Sequence, residues 1–203
     1  MLTPPGHERA GTKTQAKHAH AVAELTEAVE GARRGDSESF RVLYREAQPR
    51  LLRYLSFLVG AEAEDIASET WLHVARDLGT FRGGHDDFRG WVTTIARNRA
   101  MDHVRRVSRQ PPAVPVPPED LAFLPGRSEG TEDLAIEAIT TGQALSLIAG
   151  LPRDQAEAVL LRAVMGLDAK RAAQVAGKRP GAIRMAAFRG LKTIEKRLTI
   201  PDN

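Results

Sequence analysis

At 203 residues, with 42% hydrophobic and only 5% aromatic content, the chain can fill one large domain or two small ones, and the scarcity of rings favours small helical units over a large sheet sandwich. The absence of cysteine excludes disulfides and thiolate metal sites and fits a cytoplasmic setting. A formal net charge of +3 beside a sequence pI of about 9.5 makes the distribution of charge more informative than its total. No run approaches the roughly 18 apolar residues of a membrane span, so no membrane insertion is expected. Met1 to Lys17 is polar, contains Pro4-Pro5-Gly6 and lacks an apolar signal core, so export is not expected.

Residues 1–20 read as a disordered extension. From Ala21 the pattern turns helical: Val22, Leu25, Val29 and Ala32 recur at three- and four-residue steps until Gly35. Asp36-Ser37 is suited to cap a second helix carrying Phe40, Leu43 and Tyr44 on one face. Pro49 should break that helix or open another, whose apolar face is Leu51, Leu52, Leu55, Leu58 and Val59, with Gly60 closing it. A further helix is expected from Glu62 to Leu78. Its apolar stripe is Ala67, Trp71, Val74, Ala75 and Leu78; Asp65, Ser68, Glu69, Leu72, His73 and Arg76 fall on other faces. The glycine-rich segment Phe81 to Asp87 reads as a loop, and the next helix as Asp87 to Arg106. Trp91 and Ile95 share an i, i+4 face of that helix, which places Trp91 in the core rather than on a stacking surface.

Prolines at 111, 112, 115, 117, 118 and 125 exclude regular structure and mark a linker over 110–131. Helical periodicity resumes near Glu132 with Leu134, Ile136, Ile139, Leu145 and Ile148, and Leu151-Pro152 starts a fresh helix. Asp168 then caps a short helix bearing Ala172, Ala173 and Val175, Gly177 supplies a turn, and Pro180 opens a last helix. That helix should bury Ile183, Ala187 and either Leu191 or Ile194, and show Arg184, Phe188 and Arg189 to solvent. No period-two stretch of useful length occurs, so no strand is expected. The fold class is all-α: an N-terminal helical bundle over 21–109 and a C-terminal helix-turn-helix domain over 132–198, joined by a flexible acidic, proline-rich linker.

Charge is segregated along this plan. Lys178 to Arg197 holds seven basic residues against Glu195, and Arg97 to Arg109 holds five arginines against Asp102. Pro117 to Glu137 holds six acids against Arg127. Two basic segments flanking an acidic one suit two contacts with a polyanion and a connector that avoids it; ordinary solvated helix faces are the plain alternative. The six histidines form no metal constellation, and no cofactor motif, phosphate-binding glycine loop or nucleophile–base pairing is present, so an enzyme is not expected.

Two stretches carry a resemblance. The first runs Ala63-Glu64-Asp65-Ile66-Ala67-Ser68-Glu69-Thr70-Trp71-Leu72, then Phe81-Arg82-Gly83-Gly84, then Phe88 to Arg106. The second combines Leu151-Pro152, Val159-Leu160-Leu161-Arg162, Gly166-Leu167 and Gly181-Ala182-Ile183-Arg184. In order and spacing they resemble the extracytoplasmic-function (ECF) sigma factors, the small two-domain branch of the sigma-70 family, over roughly residues 21–198. The resemblance implies a non-enzymatic initiation factor that binds core RNA polymerase through its β and β′ subunits and reads promoter DNA. It assigns polymerase docking to Asp65, Ser68, Glu69, Leu72, His73 and Arg76. It assigns the −10 element and melted strand to Arg82 and His85 of the loop and to Arg97, Asn98, Arg105 and Arg106 of the helix. It assigns the −35 element to Lys178, Arg179, Arg184, Met185, Phe188 and Arg189. An anti-sigma factor is a further partner that it brings into view. Ser68 stands where the family usually has Gln, Lys178-Arg179-Pro180 where it often has a small hydroxyl residue, and Met185-Ala186 where it commonly has Ser-Arg. The acidic spacer is either an RNA-like segment or a soluble tether. A stand-alone helix-turn-helix regulator is the alternative reading of the whole chain.

Overall fold

The computed structural model describes residues 8–109 and 142–199, with side chains described from residue 21 onward. Among the described residues the regular structure is entirely helical. The first group comprises α1 (Glu8–Arg33), α2 (Ser37–Val59), α3 (Ala63–Asp77) and α4 (His85–Arg109). The second comprises α5 (142–149), α6 (Arg153–Val159), α7 (Ala169–Ala176) and α8 (Pro180–Thr199). The linker expected over 110–131 and the positions Leu134, Ile136 and Ile139 lie outside the described residues.

Three boundaries differ from expectation. Helix α1 begins at Glu8, so the extension expected to be disordered over 1–20 is helical from residue 8 onward. That stretch carries Ala10, Lys13, Gln15, Ala16, Lys17 and Ala19, which favour helix by intrinsic propensity, whereas apolar periodicity detects only a buried face. Helix α2 runs unbroken through Pro49. The proline forfeits one backbone hydrogen bond, at a cost of about 3 kcal/mol in a helix interior. Pro49 is exposed, while Leu43, Ala47, Leu51, Tyr54 and Leu55 on both sides of it are buried. Burying each of the leucines among them returns roughly 1.5–3 kcal/mol, so tertiary burial wins. Helix α4 starts at His85 rather than Asp87 and has Asp86 and Asp87 in its first turn, where carboxylates favour the positive end of the helix.

The four-helix group closes on Val29, Leu43, Leu51, Leu55, Trp71, Val74, Phe88 and Val92. Asp36 caps α2 as expected, accepting from the Ser39 amide at 2.9 Å. Phe40 meets Trp71 edge-on at 5.9 Å, and the Trp71 indole donates to Gln48 Oε1 at 2.6 Å, which fixes the face α3 turns inward. Ala75, expected in the buried stripe, is exposed; the inward face of α3 instead takes Ala63, Ile66 and Thr70.

In the second group α6 passes directly into a π turn over Leu160–Val164, with the Met165 amide bonding Leu160 O at 2.9 Å. The wider turn buries the adjacent Leu160 and Leu161 together. Helix α8 packs against α6 and α7 through Ile183 and Ala187, with Ile194 partly buried and Leu191 51% exposed, which decides between the two. Helix α8 lies close against α6 at Gly190, where an added Cβ would sit 2.8 Å from Val159 Cγ2. The two groups also touch one another, α4 against α7 and α2 against the π turn.

Candidate nucleic-acid interface

The helix-turn-helix is built from local signals that all hold. The Asp168 carboxylate accepts from the Arg171 amide at 2.8 Å, capping α7. Gly177 adopts a left-handed conformation with φ 64°, and the Lys178 amide bonds Ala173 O at 2.9 Å, closing the helix in a Schellman arrangement. Lys178 then reaches Asp154 of α6, Nζ to Oδ1 at 2.7 Å, and that hydrogen bond with its charge holds the Asp154 carboxyl below the ordinary range. Lys178 therefore braces the turn, while Arg179 is exposed beside it.

Arg184, Met185, Phe188 and Arg189 share the outward surface of α8, with Met185 50% and Phe188 60% exposed. Two large apolar side chains held in water between arginines are unfavourable unless a partner covers them. A base edge suits both components: guanidinium groups read guanine or bind phosphate, and apolar carbon contacts the thymine methyl.

On α3 the expected docking residues Asp65, Ser68, Glu69, Leu72 and Arg76 are exposed, Leu72 at 73%, and His73 is half-buried. Two of them, Glu69 and His73, are tied together by Arg99 of α4, a residue that sequence reasoning missed. Its Nη1 donates to Glu69 Oε2 at 2.8 Å and its Nη2 lies 3.1 Å from His73 Nδ1. The far side of the imidazole meets Asp77 Oδ2 at 3.1 Å, and Asp77 pairs with Arg76 at 2.7 Å. Arg99 was indistinguishable from its neighbouring arginines by periodicity, because its partners lie on another helix.

The loop between α3 and α4 is shorter than expected, since His85 belongs to α4. Gly83 has φ 134°, and Asp87 folds back so that Oδ2 accepts from the Gly84 amide at 3.3 Å. Beneath the loop Phe81 stacks on Trp91 at 5.0 Å and meets Phe88 edge-on at 5.9 Å. Trp91 is thus half-buried packing, as expected of its face. Arg82 is exposed, its guanidinium donating to Phe81 O at 2.8 Å.

His85 is corrected from a loop contact to a buried brace: its side chain is 1% exposed, with Nε2 3.3 Å from Glu46 Oε2 and Nδ1 3.2 Å from Arg89 Nη2. The polar sequence around it suggested a loop, yet the first turn of α4 packs against α1 and α2 and takes the ring inside. Burial disfavours the Glu46 charge, but the His85 hydrogen bond and Arg50 outweigh it and hold the carboxyl below its ordinary value. Asn98, Arg105 and Arg106 are exposed along α4, Arg105 pairing with Asp102 at 2.9 Å. Arg97 differs from them. Its side chain is 20% exposed and Nε donates to Glu157 Oε1 of α6 at 2.7 Å.

Among the described residues no group of three or more His, Cys, Asp or Glu side chains is placed to hold a metal, and no helix is long and apolar enough to cross a membrane.

A family model described as Sigma-70 region 2 matches residues 43–110, and one described as Sigma-70, region 4 matches residues 141–194. The chain is 33% identical over 183 residues to the ECF RNA polymerase sigma factor BldN of Streptomyces coelicolor, covering 89% of this chain and 67% of that protein. It is 31% identical over 167 residues to the ECF RNA polymerase sigma factor ShbA of Streptomyces griseus, covering 79% of this chain and 87% of that one. In fold it is similar to the sigma factor RpoE of Bartonella quintana, solved with the anti-sigma factor NepR, at a TM-score of 0.55 and 20% identity over 81% of this chain and 99% of that one.

Proposed function

The chain belongs to the ECF branch of the sigma-70 family, and from that premise we propose a division of labour among its surfaces. As an alternative RNA polymerase sigma factor it joins core polymerase and directs it to promoters. The α3 face of Asp65, Ser68, Glu69, Leu72, His73 and Arg76 docks on the polymerase, with Arg99 holding Glu69 and His73 in place. Arg82, Asn98, Arg105, Arg106 and, once uncovered, Arg97 contact the −10 element and its melted strand, by neutralising phosphates and shaping a pocket for an unstacked base. His85 supports this surface from beneath. Arg179, Arg184, Met185, Phe188 and Arg189 read the −35 element in the major groove, with Lys178 bracing the turn.

The domains correspond to residues 21–109 and 132–198, with α1 extending the first and 110–131 serving as the tether. Sigma factors are non-enzymatic, and this chain forms and breaks no covalent bond itself; the polymerase performs the chemistry. It works in the cytoplasm, and an anti-sigma factor is a fitting regulator.

The observation that carries the assignment of the −35 surface is the exposed Phe188–Met185 pair flanked by Arg184 and Arg189 on the second helix of a helix-turn-helix. In vitro transcription with purified core polymerase on a promoter library tests the whole. Factor-dependent transcripts sharing two spaced upstream motifs are the expected result. Absence of transcripts together with tight, specific duplex binding by the protein alone would instead identify a stand-alone regulator.

A further inference from the structure

Beside the apolar core that runs through both helical groups lies an open cleft of about 800 Å³. It is walled by α1, α2, the start of α4, α5 and the π turn, and its lining is divided in chemistry. Val22 and Leu25 of α1 line it together with Leu145 and Ile148 of α5. Arg50 and Arg53 of α2 and Arg89 of α4 supply the basic part, set against the carboxylates of Glu46 and Asp86.

Three guanidinium groups thus share two carboxylates, and Glu46 is already engaged. Its Oε1 takes Arg50 Nη1 at 2.9 Å, and its Oε2 meets His85 Nε2 at 3.3 Å. Asp86, 54% exposed, lies 3.7 Å from Arg89. Arg53 is half-buried and makes no hydrogen bond or ion pair among the described residues. The Nε–H of Arg89 is buried and likewise finds no acceptor among them, and a buried donor without a partner is costly. Gly166 marks where two of the charges converge. Its backbone is left-handed, with φ 65°, and an added Cβ would collide with Arg89 Nη1 and stand 3.9 Å from Arg50 Nη1. Like charges gathered in a recess call for an anion.

Small-molecule sites are clefts of about 300–1,000 Å³, mostly apolar, with a few convergent polar groups and often set between domains. This cleft has that size and make-up. An inorganic ion would pair with the arginines and leave the apolar wall wet. A neutral hydrocarbon would cover that wall and leave the arginines desolvated and unpaired. An anionic head on an apolar body satisfies both halves. We propose that the cleft binds a small amphipathic organic anion, its carboxylate or phosphate head on Arg53 and Arg89 and its apolar body against Val22, Leu25, Leu145 and Ile148. None of these residues belongs to the surfaces assigned to polymerase or promoter, so the inference goes beyond that assignment and does not depend on it.

The test uses the full chain with two probes, the fluorescent anion anilinonaphthalene sulfonate and, in competition with it, octanoate. The expected result is a single saturable site from which octanoate displaces the dye. Octylammonium, with the same alkyl chain and the opposite charge, should not displace it. Arg53→Glu should weaken octanoate binding about tenfold or more through loss of a charge-assisted contact. Arg53→Gln, which removes the charge without reversing it, should fall between that variant and the unaltered protein. Val22→Asp, at the apolar end, should weaken octanoate as well. Residues 22 and 53 are both half-buried, and circular dichroism verifies helicity in each variant. Leu198→Ala, which trims an apolar side chain 69% exposed near the end of α8, should leave both probes unchanged. Absence of a saturable site, or equal displacement by octylammonium, overturns the proposal. So does octanoate affinity unmoved by Arg53→Glu and Val22→Asp, and loss of dye binding in Leu198→Ala would place the dye on α8 and overturn it likewise.

Discussion

Gly190→Ala should destabilise the second domain, against the direction that helix propensity alone dictates. In a helix interior Ala is favoured over Gly by about 1 kcal/mol. At position 190 the new Cβ would lie 2.8 Å from Val159 Cγ2, 3.2 Å from Leu151 Cδ1 and 3.4 Å from Gln155 O. Val159 is 1% and Leu151 6% exposed, so neither can swing into solvent, and the third neighbour is backbone. Forcing a methyl into such a site costs roughly 1–3 kcal/mol, and relieving it means moving α8 off α6, which leaves a net loss of about 1 kcal/mol. Gly181 lies on the same helix with nothing within 4 Å of its added Cβ, so Gly181→Ala should be neutral or stabilising by up to about 1 kcal/mol. Calorimetry of the full chain should therefore show the second-domain transition falling in one variant and steady or rising in the other, at about 4–8 °C per kcal/mol for a domain of this size. If Gly190→Ala melts at or above the unaltered protein, the α6–α8 crossing is not as close as described and the placement of the reading face must be revised.

Asp168→Ala should cost about 1 kcal/mol through loss of the α7 cap. Because the Arg171 amide bond, opposed by burial and aided by the Arg171 side chain, holds the folded carboxyl below its ordinary value, this contribution is present above about pH 4 and lost as pH falls through the lowered folded value. Urea midpoints should thus separate the two proteins at pH 7 and converge in strong acid; a pH-independent gap would refute the cap as a charged group. Arg184→Ala should weaken promoter binding by about 1–3 kcal/mol and relax the preference at one −35 position; unchanged affinity and preference would remove Arg184 from the reading face. Glu69→Lys combined with His73→Glu should abolish co-elution with core polymerase while leaving helicity intact, and retained co-elution would show the docking face to be elsewhere.

How much was legible beforehand depends on how local each signal was. Asp36, Asp168, Gly177 and Pro180 act on backbone within four residues of themselves, and each does in the structure what its residue type dictates. The stripe on α3 was mostly legible because helical periodicity reports a buried face. It failed at Ala75, whose small side chain is equally at home in water. The start of α1 was missed for the opposite reason, since propensity without a buried stripe leaves no periodic trace. Pro49 was misjudged because the break it favours is weaker than the burial on either side of it.

The sequence by itself determined the helical fold, the two basic surfaces, the order of the caps and turns and, through the spacing of its motifs, the family. Tertiary structure decided which polar groups meet: that His85 turns inward to Glu46, that Arg99 rather than an α3 neighbour organises Glu69 and His73, and that Arg97 is covered by Glu157 from 60 positions away. The reason is range. Dihedral preference, capping and periodicity are written within one or two turns of chain, whereas an ion pair between helices depends on packing that brings together residues with no local relation.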